Sequence, residues 1–107
     1  MAELYDEKHM HASGVYKKLT EKQQEPYKQW HREVFAETTL TKKVKELIAL
    51  GVGCALQCKY CMDSHAKKAK AFGATEQEIA EVISIAAAVR AGATISYGMQ
   101  AIESYEE

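Results

Sequence analysis

All three cysteines of the chain lie within eight positions, at Cys54, Cys58 and Cys61, and His65 follows four residues later. If the chain is helical from Cys58 onwards, offsets of three and four place Cys58, Cys61 and His65 on one face. The same face carries the apolar residues Met62, Ala69 and Phe72. We therefore expect two thiols and an imidazole to point towards the interior.

This spacing predicts a redox-active dithiol with a base beside it. Thiols at the start of a helix lie near unsatisfied N–H groups and the positive end of the helix dipole, which favours the thiolate. Thiols three residues apart on a helical turn can also form a disulfide with little backbone movement. His65, one turn after Cys61, can take or hold a proton from that thiol.

Glu46 is the candidate carboxylate, and it lies in a segment that is apolar on both helical faces. One face carries Val44, Leu47, Ile48, Val52 and Ala55, and the other carries Glu46, Ala49, Leu50 and Gly53. A helix that is apolar on both sides is usually buried, and an apolar interior makes a carboxylate a usable proton acceptor near neutrality. Alternatively, Glu46 lies in exposed first turns beside Lys42, Lys43 and Lys45. Periodicity alone leaves both alternatives open.

Glu46, followed by Cys58, Cys61 and His65 at this spacing, resembles the alkyl hydroperoxidase D-like branch of the carboxymuconolactone decarboxylase family. The resemblance covers residues 41–105. It implies an all-helical fold that assembles as a homotrimer or homohexamer. It also implies a thiol-dependent peroxidase or disulfide reductase that uses no flavin, haem or metal cofactor.

The resemblance also implies a role for each residue of the motif. Cys61 is the thiol oxidised to a sulfenic acid by a hydroperoxide, or the one that attacks a substrate disulfide. Cys58 donates a proton and then closes the disulfide, which an external dithiol reduces. His65 and Glu46 relay protons. Tyr60 departs from the branch, in which a second histidine often lies between the cysteines, so peroxidase competence stays open.

The same cysteines fit other hypotheses. Their spacing also resembles the iron–sulfur loop of radical S-adenosylmethionine enzymes, although that loop must be flexible and the flanks here favour helix. Cys54, Cys58, Cys61 and His65 could together hold zinc, but structural zinc sites usually draw ligands from two separate elements. Lactone decarboxylases of the wider family lack the paired thiols. An assembly protein with inert cysteines is the remaining alternative, and we assign Cys54 itself to packing.

Length and charge narrow the function classes. A chain of 107 residues is expected to form one domain, 1–107, with an N-terminal helical pair over 1–40 and the family-like core over 41–107. A net charge of −1 gives no indication of nucleic-acid binding. Charges or glycines interrupt the apolar runs, so we expect no membrane span. The acidic N-terminus predicts no signal peptide, and the odd, clustered cysteines predict a reducing, cytoplasmic location.

The pattern of helix formers and breakers predicts about six helices and no strand. The first covers Leu4–Leu19, and its inward-facing residues are Leu4, Tyr5, Ala12, Val15, Tyr16 and Leu19. After a polar connector, Thr20–Glu25, Pro26 starts the second helix. Thr39 or Thr41 caps the third, and the fourth runs from Cys58 to Phe72, where Gly73 ends it. Thr75 and Glu78 form a capping box for the fifth, and a sixth follows Gly92.

For some side chains on these helices, the sequence predicts a structural role. Tyr27 and Trp30 are expected in the core or at a subunit interface. Arg90 is expected to satisfy helix carbonyls or to pair with an acid, with an anionic substrate as the alternative. The third and fifth helices are apolar nearly all round, and six short helices offer little cover. We therefore expect other subunits to hide part of this surface.

Overall fold

The computed structural model describes residues 6–107, and this part of the chain is helical and contains no strand. It has five helices, α1 (Glu7–Leu19), α2 (Glu21–Phe35), α3 (Lys42–Ala55), α4 (Lys59–Ala71) and α5 (Glu76–Glu106). The all-helical class is therefore confirmed, with five helices instead of about six. Leu4 and Tyr5, predicted in the first helix, lie outside the described residues.

Internal contacts divide the chain into two compact units, one ending at Lys42 and one covering Lys43–Glu107. The division lies within two residues of the boundary expected between 1–40 and 41–107. The first unit contains α1 and α2, and the second contains α4, α5 and all but the first residue of α3. All four residues of the predicted redox motif belong to the second unit.

The connector predicted at Thr20–Glu25 is wrong, because α2 begins at Glu21. Glutamate, lysine and glutamine are good helix formers, so polarity alone does not interrupt a helix. Pro26 consequently lies inside α2 instead of at its first position. There it removes one N–H donor from the helix ladder.

Asp6 is the N-cap of α1, and its carboxylate accepts the backbone N–H of His9 at 2.9 Å.

No residue is buried within Glu7–Leu19 or Glu21–Phe35. The large apolar side chains described on α1 and expected to face inward are exposed, as are two aromatic residues of α2; the exposed residues are Val15, Tyr16, Leu19, Tyr27 and Trp30. The predicted core role is therefore wrong for these residues, while the alternative role of Tyr27 and Trp30 at a subunit interface stays a prediction. Periodicity places apolar residues on one face, but burial also requires a second layer packed on that face.

The buried residues of the second unit come from all three of its helices. On α3 the face with Glu46, Leu50 and Gly53 is buried, and α4 and α5 contribute Ala69 and Ala86. Several of these residues are small, which allows the helices to approach closely. The opposite stripe of α3 remains about half exposed, with Ile48 at 51% and Val52 at 54%. The face of α3 that carries Glu46 is thus the one that packs inside the unit.

Helix α4 ends in the way that the sequence predicts. Gly73 has φ 95°, a left-handed conformation that favours glycine. The N–H of Ala74 donates to the Ala69 carbonyl at 2.9 Å, and the N–H of Gly73 donates to the Lys70 carbonyl at 3.0 Å. These two hydrogen bonds form a Schellman motif. The predicted role of Gly73 is confirmed.

Helix α5 opens as predicted but continues further. The Thr75 hydroxyl accepts the Glu78 N–H at 3.1 Å, and the Glu78 carboxylate accepts the Thr75 N–H at 2.9 Å, so the capping box is confirmed. The predicted break at Gly92 is wrong, since one helix runs from Glu76 to Glu106. A single interior glycine costs a helix only about 1 kcal/mol, and the alanine-rich sequence around it maintains the helix.

Because α5 does not stop at Gly92, it is long and apolar enough to cross a membrane by length and composition alone. No such span was expected from the sequence, where Gly92 counted as an interruption. Core helices of soluble proteins meet the same test. Beyond Ala86, every residue of α5 is exposed in this chain.

The exposed stripe of α3 and the first half of α5 form an apolar groove of about 420 Å³. We call this the α3/α5 groove. Its lining consists of aliphatic side chains and one glycine, namely Val44, Leu47, Ile48, Gly51, Val52, Ala55, Val82, Ile85, Ala86 and Val89. Since none of these residues is polar, the groove has few groups to interact with water.

Glu78 generates a prediction about stability and pH. The Thr75 N–H, and next the Lys43 ammonium at 2.9 Å, lower the pKa of Glu78 below its ordinary value of 4.5. A lowered folded-state pKa contributes stability above the unfolded-state value, and this is lost as the pH falls through the folded-state pKa. We expect Glu78→Gln to weaken the acid dependence of the urea midpoint between about pH 7 and about pH 3.

The matched control is Glu81→Gln, which removes an exposed carboxylate three residues further along α5. This variant should keep the acid dependence of the parent chain. Equal acid dependence in the Glu78→Gln variant and the parent would contradict the assignment.

Candidate redox site

Cys58 lies at the junction of α3 and α4. Helix α3 ends in a Schellman motif, in which the N–H of Cys58 donates to the Gly53 carbonyl at 3.0 Å and the N–H of Gln57 to the Cys54 carbonyl at 3.1 Å. Cys58 then serves as the N-cap of α4, and its sulfur accepts the N–H of Cys61 at 3.2 Å. Helix α4 therefore starts after Cys58, not at it, because an N-cap residue has extended backbone angles.

Cys58 and Cys61 form a disulfide, with their Cα atoms 5.2 Å apart. This Cα separation lies within the usual range for a disulfide. Both residues are partly exposed, so the sulfurs are neither sealed in the core nor fully in solvent. The first turn of α4 thus brings the two predicted redox residues together.

Gly53 allows α3 to pass directly beside this disulfide. A Cβ atom built on Gly53 would lie 2.6 Å from Cys61 Cβ, 3.2 Å from Met62 Cε and 3.5 Å from Cys61 Sγ. The first distance is shorter than any ordinary carbon–carbon contact. Gly53 is therefore required by the close approach of the two helices at Cys61.

A second contact between α3 and α4 joins Glu46 to His65, one helical turn after Cys61. The His65 Nδ1 atom lies 2.6 Å from Glu46 Oε2. The Glu46 side chain is only 6% exposed and the His65 side chain 15%. The structure thus decides between the two alternatives for Glu46, which lies in the interior and not in exposed first turns. Lys43, its neighbour in sequence, pairs instead with Glu78.

The Glu46–His65 contact also constrains the proton on the histidine. When Glu46 is ionised, its carboxylate can only accept hydrogen bonds, and the imidazole then donates its Nδ1–H to it. Nε2 is then the ring nitrogen that can exchange a proton with a thiol. His65 follows Cys61 by one helical turn, so the two side chains share one face of α4.

Cys54 has a different environment from the other two cysteines. It lies in the last turn of α3, is partly buried and keeps a free thiol. Across residues 6–107, no group of three or more His, Cys, Asp or Glu side chains is placed to hold a metal ion. The four candidate zinc ligands named from the sequence are therefore not arranged as a metal centre.

Three features near the disulfide were not predicted from the sequence. The sequence placed Gly53 on the same helix face as Glu46 but did not predict its contact with Cys61. A glycine inside an otherwise helical segment could have indicated such a close approach. Gln57 adopts φ 59°, which no local pattern indicated. Arg90 was expected to satisfy carbonyls, and its Nη1 does donate to one, but the carbonyl is that of Ala55 in α3.

Comparison with known proteins identifies the class. The sequence model of the carboxymuconolactone decarboxylase family matches residues 21–104. This chain belongs to the carboxymuconolactone decarboxylase family. Its Cys-x-x-Cys pair fits the alkyl hydroperoxidase D-like branch of that family. The resemblance inferred from Glu46, Cys58, Cys61 and His65 is thereby confirmed.

Individual relatives agree with this assignment. A protein from Paracoccus denitrificans, described as uncharacterized protein 4 in the cox locus, is 40% identical over 74 residues, which are 69% of this chain and 67% of that protein. A crystal structure from Methanobacterium thermoautotrophicum has a TM-score of 0.69 and 33% identity, covering 73% of this chain and 90% of that one.

A second solved structure extends over more of this chain. It is the apo form of a carboxymuconolactone decarboxylase family protein from Legionella pneumophila, with a TM-score of 0.68 and 25% identity. The similarity covers 94% of this chain and 89% of that one.

Gly53 generates a prediction about the disulfide. We expect Gly53→Ala to push α3 and α4 apart at Cys61 and to lower the free energy of unfolding by about 1–3 kcal/mol, the usual cost of overpacking. Disulfide formation between Cys58 and Cys61 should become less favourable in the same variant. Chemical denaturation and thiol quantification in a glutathione buffer measure the two effects.

Gly51→Ala is the matched control, since it makes the same change on the same helix, facing α5. There the new Cβ meets Val82 Cγ1 at 3.3 Å, a contact that a small side-chain shift relieves. Gly51→Ala should leave the disulfide equilibrium unchanged. If both variants behaved alike, the close approach at Gly53 would have no special role.

Proposed function

We propose that this protein is a thiol-dependent oxidoreductase, either a peroxidase or a disulfide reductase, in which Cys58 and Cys61 cycle between dithiol and disulfide. One observation carries the proposal: a disulfide-forming pair at the start of α4 shares its helix with a histidine that a buried carboxylate orients. Family membership supports a redox role of this kind. The fold alone does not specify the activity.

The chemistry follows from the positions of the sulfurs. In the peroxidase reaction, the Cys61 thiolate attacks the O–O bond, which yields a sulfenic acid on Cys61 and, after protonation, an alcohol. The Cys58 thiolate then attacks the sulfenic sulfur, forming the disulfide and releasing water once a proton is supplied. With a disulfide substrate, Cys61 instead forms a mixed disulfide that Cys58 resolves. An external dithiol then reduces the Cys58–Cys61 disulfide and is itself oxidised to a disulfide.

Each proton in this cycle has a proposed carrier. The start of α4 favours thiolate, because backbone N–H groups and the helix dipole stabilise negative charge there. His65 takes the proton from Cys61 and returns it to the leaving oxygen or sulfur. Glu46 holds the Nδ1–H of His65, which keeps the ring orientation fixed and stabilises the imidazolium that forms. Tyr60, between the cysteines, is 56% exposed, so the substrate can reach this end of the helix.

Cysteine substitutions test the proposal. Cys61→Ser and Cys58→Ser should each abolish turnover of hydroperoxide or of a small disulfide with dithiothreitol as reductant, because each removes one sulfur of the cycle. Cys54→Ser is the matched control and should retain turnover. Loss of activity in the Cys54→Ser variant alone would show that the roles are assigned to the wrong cysteines.

The same assay separates the proton relay from the dithiol. Glu46→Gln should lower turnover by about 100-fold or more, in the range of a lost general base, while leaving both sulfurs available to alkylation. Unchanged turnover in Glu46→Gln would remove Glu46 from the mechanism.

We also propose that the chain works as a homo-oligomer, a trimer or hexamer in keeping with the family resemblance. The α3/α5 groove and the exposed second half of α5 support this, since large apolar surfaces of soluble proteins usually mark interfaces. Cytoplasmic location remains part of the proposal, because the cycle requires a supply of reducing dithiols.

A charge placed in the groove tests the assembly. Val89 is 65% exposed and lines the α3/α5 groove. We expect Val89→Glu to reduce the mass measured by light scattering from that of an oligomer to that of one chain. Ser84→Glu introduces the same charge at an exposed polar position of α5 outside the groove and should leave the mass unchanged. A parent chain that is monomeric at micromolar concentration would contradict the assembly.

A further inference from the structure

The segment that joins α3 to α4 adopts a conformation that its own sequence disfavours. Gln57 has φ 59°, a left-handed conformation that side chains other than glycine adopt at a cost. The equivalent position after α4 is occupied by Gly73. The same Schellman motif is therefore built with glycine at the end of α4 but with glutamine immediately before Cys58. At the α3–α4 junction, other interactions must therefore offset the cost of the left-handed glutamine, a cost that glycine does not incur at the end of α4.

Arg90 supplies such support from a distant part of the chain. The Schellman hydrogen bonds engage the carbonyls of Gly53 and Cys54, and the next carbonyl along the helix is that of Ala55. Arg90 Nη1, on α5, donates a hydrogen bond to it across 35 residues of sequence. A charged donor at the C-terminal end of a helix stabilises its final turn. The contact thus connects α5 to the turn that leads into Cys58.

We propose that Arg90 is a positioning residue for the redox cycle: it holds the last turn of α3 so that Cys58 remains within bonding reach of Cys61. Arg90 acts through the Ala55 carbonyl, three residues before Cys58. The inference rests on the proposed function, because it assigns Arg90 to the dithiol–disulfide equilibrium. It also gives a role to Arg90 as the only charged residue between Glu81 and Glu103 on α5.

A purely electrostatic role for Arg90 would have the opposite effect on the equilibrium. If its positive charge mainly stabilised thiolates, loss of Arg90 would destabilise the reduced form and shift the pair towards disulfide. If Arg90 positions Cys58, its loss lets the junction move and shifts the pair towards dithiol. The direction of the shift therefore distinguishes the two roles.

The experiment equilibrates the full chain with mixtures of reduced and oxidised glutathione. In this reaction, two reduced glutathiones convert the protein disulfide to a dithiol and become one oxidised glutathione. The fraction of each form is read by alkylation of free thiols and mass spectrometry. We expect Arg90→Met to shift the equilibrium towards dithiol by about threefold to tenfold, in line with loss of one charge-assisted hydrogen bond. Arg90→Lys, which keeps a charged donor, should show a smaller shift.

The control and the rescue variant make the result specific. Arg32→Met makes the same substitution in α2, where Arg32 pairs with Glu25 at 3.5 Å, and should cause no shift. Gln57→Gly removes the cost of the left-handed conformation. It should therefore shift the parent chain towards disulfide and restore the equilibrium of the Arg90→Met variant. The Gln57→Gly result in the parent chain tests the junction even if Arg90→Met does not fold.

The outcomes separate this inference from the proposed function. An unchanged equilibrium in Arg90→Met, or a shift towards disulfide, would overturn the positioning role. An unchanged parent equilibrium after Gln57→Gly would overturn it as well. The proposed function fails separately, if the parent chain turns over neither hydroperoxide nor disulfide, because the glutathione equilibrium requires no turnover.

Discussion

The hydrogen bond between Glu46 and His65 is the contact on which the rest of the site depends. Removing a carboxylate from water costs on the order of several kcal/mol unless a partner compensates it. Glu46 is buried, with 4% of the whole residue exposed, and His65 lies at hydrogen-bonding distance from it. Since the two residues belong to α3 and α4, the contact fixes the register of one helix against the other.

That register determines where the dithiol lies. Glu46, Leu50 and Gly53 occupy one face of α3, so pairing Glu46 with His65 places Gly53 further along the same interface, beside Cys61. The absence of a side chain on Gly53 allows the helices to approach there. A carboxylate, an imidazole and two sulfurs are thus collected along one helix–helix contact. The arrangement requires only two helices, which explains how a short chain can carry it.

The remaining surface of the second unit is poorly covered by this chain. Leu50, Ala69 and Ala86 are its buried hydrophobic residues, and α5 beyond Ala86 is exposed. So small a core contributes limited stability. In the proposed assembly, covering the α3/α5 groove would therefore affect the redox site as well. Helix α3 carries Glu46 on its inner face and the groove on its outer face, so burial of the groove by a second copy would also restrain the redox site.

Local sequence was sufficient for the features that depend on neighbouring residues. The all-helical class, the capping box at Thr75 and the end of α4 at Gly73 follow from short patterns. The common face of Cys61 and His65 follows from helical periodicity. Their assignment to a family also came from spacing within a few turns, because a motif of this kind is a property of the chain itself.

Tertiary structure alone decided the features that depend on residues distant in sequence. Whether Glu46 is buried depends on α4 packing against it, and the need for Gly53 depends on the position of Cys61. The partner of Arg90 is a carbonyl 35 residues away. Periodicity describes which residues share a face but not which faces meet. Helix–helix packing makes that choice, because it is set by shape and charge across the interface.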